Sequence, residues 1–125
     1  MNTAIAIFVG GGLGSLARYG VSKASLLWFK SAFPMGTLFA NVLSCIILAL
    51  AVGLFKDKIA AHPFWMPMIV IGFCGGFSTF STFSYETMQL MQNGNYGYAI
   101  ANIVISVAVC IGLIFWLMKT TQVTQ

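Results

Sequence analysis

Asn41 sits in the middle of an apolar run and is the residue hardest to explain as packing. Its amide carries two donors and an acceptor oxygen, all of which need partners. Thr37, Asn41 and Ser44 fall at i, i+4 and i+7, so they share one helical face. Asn102, Ser106 and Cys110 form a similar stripe at i, i+4 and i+8. Such stripes either hydrogen-bond helices together inside a membrane or, facing each other, line a narrow polar track. Phe80 and Phe83 fall at i and i+3, and Ser81, Thr82 and Ser84 are interleaved with them. Both rings can face one side. A ring has a positive edge, which attracts a small anion without the tight hold of a charged group. Conduction needs sites that both admit and release an ion. Glu86 lies one turn after Thr82 and is either a local hydrogen-bond acceptor or a proton-coupling acid. Arg18, the only arginine, either snorkels to an interface or sets a positive charge at the mouth of an anion path.

The stretch before Phe80 reads Gly72-Phe73-Cys74-Gly75-Gly76-Phe77-Ser78-Thr79. Adjacent glycines weaken a helix, and Ser78 or Thr79 offers an N-cap for a fresh one. The pattern predicts a helix broken near mid-membrane, with free carbonyls on one side and free N–H groups on the other. Backbone of that kind is tolerated at depth only where it is buried in protein or lines a cavity. Freed carbonyls suit a cation, as in broken transporter helices. On a two-fold axis each such ligand would appear twice.

Catalysis finds little support. Hydrolysis wants a nucleophile–base pair or a set of metal ligands. The one histidine, His62, lies beside Pro63 in a predicted loop, and the two carboxylates, Asp57 and Glu86, are far apart. Cys45, Cys74 and Cys110 all lie in apolar segments with no CxxC spacing, and read as small packing residues. Gly10 and Gly14 make a GxxxG spacing that lets helices approach closely. A phosphate loop is disfavoured because no lysine follows.

The elements that must hold these residues follow from composition. The chain has 125 residues, of which 59% are hydrophobic and 6% charged, with mean hydropathy +0.93. Soluble domains carry about 25% charged residues, so lipid is the expected solvent. A spanning helix needs about 20 largely apolar residues. Spans are predicted at about 3–28, 33–55, 63–91 and 96–118, which makes residues 1–125 one all-α membrane domain with four transmembrane helices. The N-terminal apolar stretch reads as the first span rather than a signal peptide. Trp28, Trp65 and Trp116 fall near span ends, where rings favour the interface. The net charge of +4 comes from lysines scattered at segment ends, unlike a basic nucleic-acid patch. Lys56, Lys58 and Lys119 fall on one side of the membrane, and Lys23 and Lys30 on the other. So small a bias predicts insertion in both orientations. Four short spans barely surround a pathway, and closed two-fold dimers are the commonest oligomers. An antiparallel dimer follows.

These residues resemble the small fluoride channels known as the Fluc or CrcB family. The resemblance covers essentially the whole chain. It rests on Gly11-Gly12-x-Gly14-x-x-x-Arg18-Tyr19, on Gly36-Thr37-x-x-x-Asn41, and above all on the stretch from Gly72 to Glu86. It implies a dual-topology, antiparallel homodimer in the bacterial inner membrane that exports fluoride passively through two symmetry-related pores. Phe80, Phe83 and Asn41 correspond to the family's pore residues. Thr37, Ser81, Thr82 and Ser106 look like its polar track, and Glu86 matches its glutamate. The resemblance also implies a central sodium ion held by the backbone carbonyls of Gly75 and Ser78 from both subunits. The family often has tyrosine where this chain has Asn102. The rival expectation is a proton-coupled, dual-topology small-molecule exporter. Exporters of that kind place a glutamate in the first span, and this chain has none there.

Overall fold

The computed structural model describes residues 2–29, 33–53, 57 and 61–124. Four of its helical stretches are long and apolar enough to cross a membrane: Thr3–Trp28, Met35–Gly53, Pro67–Gln92 and Tyr96–Thr120. Among the described residues every regular element is helical. Helix α1 is Thr3–Trp28 and α2 is Met35–Gly53. The third span is composite. It opens with a π-helical segment, α3 (Pro67–Cys74), and continues as a short α-helical turn, α4 (Gly75–Phe77). Helix α5 (Phe80–Gln92) completes it, and α6 (Tyr96–Thr124) is the fourth span.

Local chemistry sets the ends. The Asn2 side chain accepts the Ala4 N–H at 2.8 Å and caps α1. Pro67 stands at the start of α3, where its missing N–H costs nothing. The turn after α5 closes through Gly94, whose φ of 80° suits a residue without a side chain. The Asn95 N–H reaches the Leu90 carbonyl at 2.7 Å and the Gly94 N–H reaches Met91 at 3.1 Å, the paired bonds of a Schellman stop. The Asn93-Gly94-Asn95 signal therefore works as a helix C-cap, and α6 begins at once.

The packing is unequal. Helix α1 lies along α3 and α4, and α2 packs chiefly on α6. The α1–α3 contact is backbone on backbone. A Cβ at Gly10 would overlap the Met68 carbonyl, and one at Gly14 would overlap the Phe73 carbonyl. The other helix answers in kind. A Cβ at Gly72 would come within 2.8 Å of the Ile7 carbonyl, and one at Gly76 within 2.5 Å of the Gly11 carbonyl. Two small-xxx-small faces thus interlock, one on each helix.

Lys23, counted above with the loop charges, lies inside α1 with its ammonium 5.6 Å from the Tyr19 ring. Lys30, Lys56 and Lys58 lie outside the described residues, as does the end of the second span predicted at 54–55. His62 is exposed, as its loop position suggested.

Candidate functional site: a polar seam along the second helix

Ser78 and Thr79 stand between α4 and α5 in extended conformation, with φ of −81° and −151°. Several of the polar groups around them have a named partner. Asn41 Oδ1 accepts the Thr79 N–H at 2.8 Å, and Asn41 Nδ2 reaches the Thr79 carbonyl at 3.5 Å. The Thr79 hydroxyl accepts the Thr82 N–H at 3.2 Å, so Thr79 is the N-cap of α5. The Cys74 carbonyl accepts from the Ser78 N–H at 3.0 Å, from Ser78 Oγ at 2.7 Å and from Ser44 Oγ at 3.0 Å. Arg18 Nε donates to the Gly76 carbonyl at 3.2 Å. A cation there suits the carbonyl end of a helix.

These bonds have a consequence for the backbone. In a continuous helix the Thr79 N–H would bond the Gly75 carbonyl, and the Thr82 N–H the Ser78 carbonyl. Both donors are diverted, to Asn41 and to Thr79 Oγ1. The Gly75 and Ser78 carbonyls are therefore released from helix bonding. Gly75 is exposed, and a Cβ there would meet nothing within 4 Å.

The α2 stripe holds the whole third span. Thr37 Oγ1 donates to Glu86 Oε1, Asn41 brackets Thr79, and Ser44 holds Cys74. The i, i+4, i+7 spacing thus places three side chains of one face against α5, the interruption and the end of α3 in turn. The α6 stripe behaves differently. Asn102 is 1% exposed and donates to Thr87 Oγ1 at 2.9 Å. Ser106 Oγ donates back to Asn102 Oδ1 at 3.2 Å, and Thr87 Oγ1 donates to the Phe83 carbonyl at 2.8 Å.

Two cavities lie along this seam. One, of about 400 Å³, is lined by Thr37 and Glu86 together with Ser22, Ser25, Gln89 and Asn93. The other, of about 310 Å³, is lined by Asn41, Ser78, Thr79, Phe80, Phe83 and Ser106, with Cys45 and Cys110 on its wall. Thr37 and Asn41 are one helical turn apart, so the cavities open at consecutive turns of α2. Phe80 and Phe83 sit side by side, ring centroids 5.9 Å apart and planes tilted by 44°. Phe80 is 79% exposed.

A family model described as CrcB-like protein, Camphor Resistance (CrcB), matches residues 5–118. The chain belongs to the CrcB family. It is 43% identical over 115 residues to a protein of Pyrococcus abyssi named fluoride-specific ion channel FluC, covering 92% of each chain. A protein of the same name in Magnetococcus marinus is 40% identical over 105 residues, covering 84% of this chain and 85% of that one. A third, in Serratia proteamaculans, is 38% identical over 108 residues, covering 86% and 84%. The CrcB family is one of ion channels, not enzymes. With four spanning helices, the chain is a multi-pass membrane protein.

Set against the residues expected from the CrcB resemblance, the structure divides the group. Asn41, Phe80, Phe83 and Ser106 share one cavity, and Thr37 and Glu86 share the other. Ser81 and Thr82 line neither, although Thr79 Oγ1 ties them to the interruption, at 3.4 Å from Ser81 Oγ. Arg18 also lines neither and is held at the Gly76 carbonyl. Sequence reasoning missed Ser22, Ser25, Gln89, Asn93 and Thr87. A signal existed for two of them, because Glu86, Gln89 and Asn93 fall at i, i+3 and i+7 along α5 and its C-cap. For Thr87, nothing in its spacing announces that Asn102 lies across from it.

Proposed function

We propose that this chain is a passive, fluoride-selective channel, assembled as an antiparallel dual-topology homodimer with two pores. The observation that carries the reading is the pair of cavities at consecutive turns of α2, which divide Thr37 and Glu86 from Asn41, Phe80, Phe83 and Ser106. The FluC names of the relatives supply the ion. An anion enters the wider cavity among hydroxyls and amides, passes the Thr37–Glu86 contact, and reaches the ring edges of Phe80 and Phe83 beside Asn41. Each step replaces part of fluoride's hydration with fixed donors and ring edges, and none needs an energy source. Arg18 contributes long-range positive charge from its seat at Gly76, not from the mouth. In the cell the channel lowers cytoplasmic fluoride by letting it leave across the bacterial inner membrane.

Dimerisation is supported by the surface around the interruption, which we place near mid-membrane. Non-helical backbone cannot face lipid tails, yet Gly75 is exposed and its carbonyl has lost its helix partner. A second copy covering this face removes the penalty. The same groups fit the sodium ion of the family. Freed backbone carbonyls are hard oxygen donors, and the released carbonyls of Gly75 and Ser78 in each subunit would supply them. Bound there, sodium would serve as a structural pin between subunits.

Efflux from liposomes carrying the purified chain tests the reading. Fluoride and chloride electrodes follow release under a potassium gradient with valinomycin, at equal pH inside and out. Fast fluoride release without chloride release is expected. Transport that appears only with a pH gradient would replace the channel with a proton-coupled exporter working through Glu86.

A further inference from the structure

Cys45 on α2 and Cys110 on α6 both stand on the wall of the cavity that holds Asn41, Phe80, Phe83 and Ser106. The channel reading gives neither thiol a role. Both are free cysteines, neither fully buried, and they are neighbours on that wall. Their neighbourhood is a product of the α2–α6 packing. Cys74, by contrast, is buried and does not line the cavity.

We propose that Cys45 and Cys110 form a two-thiolate site for a soft, thiophilic metal cation, with Hg²⁺ as the ion whose charge fits it. Thiolates select soft cations over hard ones. Among the described residues no third histidine, cysteine or carboxylate joins the pair. A tetrahedral zinc site, which wants four ligands or three and a water, is therefore not served, whereas an ion content with two collinear sulfurs is. Binding breaks two S–H bonds, forms two S–Hg bonds and releases two protons. The two thiolate charges cancel the divalent charge, so no net charge is left among apolar helices, where it would be costly. A monovalent soft ion would leave one negative charge in place.

The site stands on the two thiols alone. Its effect on flux rests in addition on the reading of this cavity as the anion path. Filling the wall beside Phe80 and Phe83 would then block passage.

The test uses the full chain with Cys74→Ala, so that only the pair remains, exposed to mercuric acetate and washed with glutathione. Metal per chain is measured by elemental analysis, and remaining thiols are counted after denaturation. One mercury per chain with both thiols consumed is expected. Adding Cys45→Ser or Cys110→Ser should reduce the retained metal at least about tenfold, because a monothiol competitor strips a singly held ion. Two ions per chain, none retained, or undiminished retention in the single variants would overturn the site. The Cys74→Ala stoichiometry stands even if a serine variant folds poorly. In liposomes the ratio of fluoride efflux with and without mercury should fall, and dithiothreitol should restore it. Full occupancy with undiminished efflux would sustain the site and overturn this cavity as the anion path.

Discussion

Asn41 does two jobs with one amide. Its oxygen takes the Thr79 N–H and its nitrogen reaches the Thr79 carbonyl, while its side chain also forms part of the cavity wall. Asn41→Ala leaves a backbone donor without its partner and should cost about 1–3 kcal/mol, read as a lower midpoint of heat unfolding in detergent. Asn41→Asp keeps the acceptor but adds a negative charge to the wall. It should lose fluoride flux, and unchanged flux in both variants would show that Asn41 is structural only. The rings are the complementary case. Phe80→Ile or Phe83→Ile removes a polarised edge and breaks none of the hydrogen bonds at the interruption. Either should slow fluoride efflux at least about tenfold, the effect of losing some 1.4 kcal/mol at the critical step, with the elution volume of the assembly unchanged. Unaltered flux in both would remove the rings from the pore.

Helix α1 and the α3–α4 segment meet through glycines, and that contact is the most demanding in the fold. Gly10 faces the Met68 carbonyl, which cannot move without disturbing its own helix. Gly20 lies on the same helix with nothing within 4 Å. Gly10→Ala should therefore destabilise the protein by about 1–3 kcal/mol through overpacking. Gly20→Ala should be neutral or gain up to about 1 kcal/mol from helix propensity. Heat-unfolding midpoints of the two variants compare them directly, and similar midpoints would mean that α1 and α3 do not pack as described. The GxxxG spacing at Gly10 and Gly14 was legible as a packing signal. Its partner, Gly72 and Gly76, sits in the sequence as part of the helix-weakening run. The spacing could not say that those glycines serve close approach as well. The π-helical winding of α3 left no recognisable mark in the sequence either.

At the scale of the molecule, the released carbonyls of Gly75 and Ser78 make ion dependence the sharpest expectation. An ion bound only by the assembled state stabilises it by mass action. Replacing sodium with N-methyl-D-glucamine should lower the unfolding midpoint and shift the mass measured by light scattering from dimer towards monomer. Identical midpoints and mass in both salts would argue against a sodium pin.

The sequence by itself determined the apolar character and the presence of four helices long enough to cross a membrane, because apolar length and turn chemistry are local properties. It also determined that Thr37, Asn41 and Ser44 share a face, because helical spacing is arithmetic, and that Ser78 or Thr79 could cap a new helix. What lies opposite each face was decided only by tertiary packing. Thr37 meets Glu86, Asn41 meets Thr79, Ser44 meets Cys74, and Asn102 turns into the protein towards Thr87. Arg18, open in the sequence between an interface and an anion mouth, takes the Gly76 carbonyl. Partners so far apart in the chain leave no trace in local spacing, since the angle and depth at which two helices cross depend on every residue between them.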